Sequence, residues 1–166
     1  MVKYEKKRIF MELYHYTKTE HLSSIKEKGL LKEYYDNSTL RINTYLKQFL
    51  TKEGKVSLRE QFILFYNIPQ YEEEELPEGV LEIIVPIDKL SKPKLYIANR
   101  KHAEMLYRYL KIKDKDSVKE ELKYYSESYI NSIKQYEAEE DLYLYENVEC
   151  FYADDVSSSI LLFNTL

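Results

Sequence analysis

Residues 61–68, QFILFYNI, run almost without interruption through apolar side chains and stop at Pro69. A run of this length and content reads as a central strand, because a proline ends a ladder it cannot donate to. A central strand obliges the rest of the chain to supply neighbours, and other stretches have strand character. RIFMELYHY alternates, with Ile9, Met11 and Leu13 on one face and Phe10, Glu12 and Tyr14 on the other, and His15 falls at its end. STLRINTYL, GVLEIIVPI and the short KLYIA are further strands, and NVECFYA and SSILLFN read as the closing ones.

Helices are expected in three places. Thr17 followed three residues later by Glu20 has the spacing of a capping box, with Leu22 and Ile25 as the apolar face of a short helix that Gly29 stops. Asn99 caps a second helix, on which Ala103, Leu106, Tyr107 and Leu110 follow helical spacing. Ser117 with Glu120 opens a longer one, striped by Val118, Leu122, Tyr125, Tyr129, Ile133 and Tyr136. No repeat or low-complexity linker divides the chain, so residues 1–166 read as a single domain. The order of elements points to the α+β class rather than a regular parallel array.

A chain of 166 residues, 44% hydrophobic, can bury a core without metal or disulfide staples. The one cysteine, Cys150, excludes an intramolecular disulfide and a multi-cysteine zinc site. Neither a secretory leader nor an apolar run long enough for a membrane span is legible, so a soluble, cytoplasmic protein without a membrane partner is expected. Abundant Lys, Glu and Tyr beside only 3 Gly resemble the composition of thermophile proteins. The oligomeric state is not legible.

The net charge of -4 argues against strong nonspecific binding to nucleic acid, yet the charge is uneven. From Lys89 to Lys115 there are nine Lys and Arg against Glu104 and Asp114, while residues 116–166 carry twelve acids against Lys119, Lys123 and Lys134. Such a basic segment is either a solvated face or a local site for phosphate or nucleic acid. No Walker loop, GxGxxG, GxSxG or HExxH occurs. His15, His21 and His102 are dispersed, so no metal site is expected, and Cys150 at an apolar strand position reads as a packed thiol.

LYHYT, followed by a short helix and KGLL, resembles the first motif of the ADP-ribosyltransferase-like superfamily and is closest to the form found in the DNA-targeting ADP-ribosyltransferase toxins. FILFYNI resembles the second motif, a central strand that presents an aromatic residue, here Tyr66. ECFYADDVSSSIL resembles the last, in which a Glu opens a strand and an aliphatic residue follows seven later, as Glu149 and Val156 do. The three come in the family's order and together span most of the chain. The chain departs from the pattern in having Tyr16 where many relatives have Gly and Asn67 in place of Ser or Thr, and Glu146 competes with Glu149 for the last motif.

The resemblance implies a split, mainly antiparallel sheet with flanking helices, and ADP-ribosyl transfer from NAD as substrate. His15 would hydrogen-bond a ribose hydroxyl, and Tyr66 would stack on the nicotinamide ring. Glu149 would offset the positive charge of an oxocarbenium-like transition state. Tyr16, through its backbone, and Thr17 would line the NAD site, and Arg100 would hold the pyrophosphate. Lys101, Arg108 and Lys111 would face a nucleic-acid acceptor. On this reading His15, Tyr66 and Glu149 converge on one cleft. Each also has a plainer reading: a packed histidine, a core tyrosine, and a glutamate on the solvent face of an edge strand. An RNA 2'-phosphotransferase and a non-enzymatic interaction protein, its tyrosines serving as contact surface, stand as alternatives.

Overall fold

The computed structural model describes residues 11–32, 62–72 and 74–164. Ile9 and Phe10 of the first expected strand, and the whole of STLRINTYL, lie outside the described residues.

The described residues form an α+β domain with one antiparallel sheet of seven strands. The strands are β1 (Glu12–Lys18), β2 (Ile63–Tyr66), β3 (Val80–Pro86), β4 (Leu95–Asn99), β5 (Lys134–Gln135), β6 (Val148–Tyr152) and β7 (Leu162–Asn164). Their spatial order is β5-β4-β6-β2-β1-β3-β7. Three helices accompany them: α1 (Leu22–Lys28), α2 (Arg100–Leu110) and α3 (Lys119–Ser132).

Strand alternation sorts the side chains onto two faces, and each face has its own core. Leu13, Ile63, Phe65, Ile83, Val85, Ile97 and Cys150 fill the first, with Ile25 of α1 and Leu30 beyond its end. Ala98 and Phe151 meet Ala103, Leu106 and Leu110 of α2 and Leu122, Tyr129 and Ile130 of α3 in the second. β6 lies between β4 and β2, and all five of its residues are buried. Glu149 is therefore on a central strand, not on the solvent face of an edge strand.

Gly29 ends α1 at φ 80, a region that favours glycine, and a Cβ there would stand 2.2 Å from the Val156 carbonyl oxygen. That close approach lets Leu30 and Val156 exchange two backbone hydrogen bonds, of 2.9 and 2.8 Å. Asn99 caps α2 as expected, its side chain accepting from the Lys101 amide at 3.1 Å. The two capping boxes do not form. Thr17 is still in β1, opposite Leu81, and α1 is entered through a 3-10 turn at Thr19–His21. Ser117 lies in another such turn and donates its hydroxyl to the Asp114 carbonyl at 2.7 Å.

The stripe expected along α3 breaks at Ile133, whose extended backbone (φ -70, ψ 125) turns the chain into β5 against β4. Tyr136 is buried all the same, in the core on the other face of the sheet. Tyr107, expected in the apolar stripe of α2, is exposed.

Candidate active site at the seam of the sheet

β1 pairs with β3 along its whole length, from Glu12 opposite Pro86 to Lys18 opposite Val80. With β2 it shares one pair, Tyr14 opposite Tyr66. Two parts of the continuous sheet, β7-β3-β1 and β2-β6-β4-β5, therefore meet at a narrow seam between β1 and β2.

The stretches that carry the three motifs lie side by side at this seam. Tyr66 stands opposite Tyr14 on one side and Glu149 on the other, and Glu149 stands opposite Ala98. Cross-strand partners share a face, so Tyr14, Tyr66 and Glu149 form one row. His15 is in the middle of β1 rather than at its end. Its neighbours Tyr14 and Tyr16 take the face of Tyr66, so its side chain leaves on the face opposite Tyr66 and Glu149. The expected convergence of His15, Tyr66 and Glu149 on one face does not form, because Tyr14 holds the position that pairs with Tyr66.

His15 instead closes the seam. Its Nδ1 is 2.7 Å from the Leu64 carbonyl oxygen of β2, and its ring lies 5.7 Å from that of Phe65. A carbonyl only accepts, so Nδ1 carries the proton. Burial, partly offset by the bond to Leu64, lowers the imidazole pKa to about 4, so the ring is neutral at pH 7 with Nε2 in its acceptor form.

On the other face Arg100, the first residue of α2, sets its guanidinium over the Tyr66 ring, 4.2 Å from the centroid. Its Nε pairs with Glu104 at 3.0 Å and its Nη1 donates to Gln70 Oε1. The Gln70 amide donates to the Tyr16 hydroxyl at 2.8 Å, and that hydroxyl donates to Glu82 at 2.7 Å. This chain of bonds crosses the seam from α2 to β3. Burial first, and then the Glu82 carboxylate, push the Tyr16 phenol far above its ordinary range, although the Gln70 amide pulls the other way.

Glu149 is 2% exposed and accepts from the hydroxyl of Tyr129 on α3. Asn67, which stands where Ser or Thr was expected, ties the end of β2 to β6 by accepting from the Val148 amide at 3.2 Å. Glu146, the rival carboxylate, is exposed in the turn before β6.

Lys101, Arg108 and Lys111 are exposed on or just past α2, away from its buried stripe. The basic segment is less of a patch than its charge suggests. Lys94 pairs with Asp154, Arg100 with Glu104, and Lys115 folds back onto the Leu110 carbonyl at 2.6 Å. Among the described residues no three His, Cys, Asp or Glu are grouped to hold a metal, and no helix is long and apolar enough to cross a membrane.

Gln70, Glu82 and Tyr129 were not singled out in the sequence. Glu82 had a signal, a lone acid in the apolar run VLEIIV that only a partner makes tolerable in a buried strand. Tyr129 was legible as core but not as a donor, and Gln70 had no signal. Comparison of the chain with protein-family models, with curated proteins and with solved structures finds no match.

Proposed function

We propose that this protein transfers ADP-ribose from NAD to an acceptor at the seam, with Tyr66, Glu149 and Arg100 meeting the dinucleotide. The observation that carries the reading is the row in which Tyr66 sits beside Glu149 with a planar cation already on its ring. The nicotinamide of NAD is also planar and positively charged, so the face that takes the guanidinium suits it chemically. In the complex Arg100 moves from the ring to the pyrophosphate, and nicotinamide takes its place.

The bond from C1' of the ribose to the nicotinamide nitrogen breaks, and its electron pair leaves with the base. Positive charge grows on the ribose, where the Glu149 carboxylate offsets it. The acceptor bonds to C1' and gives up its proton. His15 serves this site from behind, by holding β1 against β2. A 2'-phosphotransferase would want several cations around its phosphate, which favours the transferase reading of a site where Arg100 stands over an aromatic ring. Lys101, Arg108 and Lys111 extend from the same helix, and an acceptor with phosphates, a nucleic acid, suits them.

The test is release of nicotinamide from NAD by the purified chain, with NAD binding followed by calorimetry. Turnover that is lost in Glu149→Gln supports the proposal. No binding at millimolar NAD and no nicotinamide released would overturn it in favour of an interaction scaffold.

A further inference from the structure

Tyr129 is wholly buried on α3, at 0% exposure, behind Glu149. Its hydroxyl donates to Glu149 Oε1 of β6, 20 positions along the chain. Three residues on, Ser132 continues the connection. Its hydroxyl donates to the Tyr129 carbonyl at 2.6 Å and accepts from the Asn99 amide at 2.9 Å, directly before Arg100. The Ser132 carbonyl in turn accepts from the Tyr145 hydroxyl at 2.9 Å, in the segment that leads into β6.

The last turn of α3 thus holds both the carboxylate and the start of the arginine-bearing helix. Packing alone does not require this. A phenylalanine would fill the same apolar space in the cluster that holds Ala98, Leu106, Ile130 and Phe151, and would lack the bond to Glu149. A buried carboxylate that loses a donor from one oxygen is held less firmly in its rotamer, which weakens its use against a growing positive charge.

We infer that Tyr129 is a positioning residue, which fixes the Glu149 carboxylate for the reaction while Ser132 sets Arg100 from the same helical turn. The inference rests on the transferase reading above. A single hydrogen bond to a charged group that matters in the transition state corresponds to about a 10- to 100-fold change in rate.

The experiment measures nicotinamide release and NAD affinity for the native chain, Tyr129→Phe, Glu149→Gln and the double variant, each checked for folding by thermal melting. The expected result is a 10- to 100-fold lower kcat in Tyr129→Phe, with NAD affinity within about threefold, and no further loss when it is added to Glu149→Gln. A 3,5-difluorotyrosine placed at 129 keeps the packing and makes the hydroxyl more acidic, so it covers the case in which the phenylalanine variant does not fold. It is expected to move the pH dependence of kcat, which a packing role leaves in place. Native kcat in Tyr129→Phe, independent losses in the double variant, or an unmoved pH profile with difluorotyrosine would each overturn the inference while leaving the transferase reading intact. Absence of turnover and of NAD binding in the native chain would overturn both.

Discussion

The neutral, buried state of His15 makes the seam sensitive to acid, and the size of the effect follows from the structure. The imidazole pKa falls from 6.5 to about 4 on folding, because burial penalises the charged ring more than the Leu64 carbonyl favours it. The folded state therefore binds its proton later than the unfolded state. The stability this group contributes is present above pH 6.5, declines as pH falls below that value, and is gone below about pH 4. The full difference is worth about 3 kcal/mol, and between pH 7 and pH 4.5 the loss is about 2.4 kcal/mol. His15→Asn provides the comparison, because its amide nitrogen can donate to Leu64 in place of Nδ1 but does not titrate. Urea unfolding of both proteins at several pH values in this range gives the slopes. Carboxylates such as Asp141, where burial is outweighed by Lys134 and the Glu137 and Ala138 amides, and Asp154, held low by Lys94, weaken both proteins alike as pH falls. The native chain should lose about 2 kcal/mol more than His15→Asn, and parallel profiles would refute a buried, neutral His15.

Gly29→Ala combines left-handed strain with a Cβ that meets the Val156 oxygen, so it should cost about 3 kcal/mol and lower Tm by roughly 10 °C. Gly79→Ala, at a similar φ of 81 but with open space around it, should cost about 1–2 kcal/mol in the same melts. Glu149→Gln should lower the rate of nicotinamide release about 100-fold with little change in Tm, since the amide oxygen still accepts from Tyr129. If a nucleic acid is the acceptor, its binding should weaken steeply with salt, and Lys101→Glu with Arg108→Glu should flatten that slope by about two charges in a titration with short strands. Binding unaltered by the double change would assign those cations to solvent.

Local pattern in the sequence determined where most elements lie. The apolar runs at Ile63–Tyr66 and Val80–Pro86, the closing strand at Val148–Tyr152, the cap at Asn99 and the stop at Gly29 all emerge from residues a few positions apart. Periodicity and capping are properties of a short piece of chain, so a sequence displays them. Only the tertiary structure decided that β6 is central, which turned Glu149 from a candidate surface acid into a buried one bonded to a tyrosine 20 positions away. It likewise decided the register at the seam. Tyr14, not His15, faces Tyr66, and in a strand one residue of offset exchanges the two faces of the sheet. His15 finds its partner, the Leu64 carbonyl, 49 residues along the chain. Such pairings depend on which strands meet, and no window of neighbouring residues carries that information.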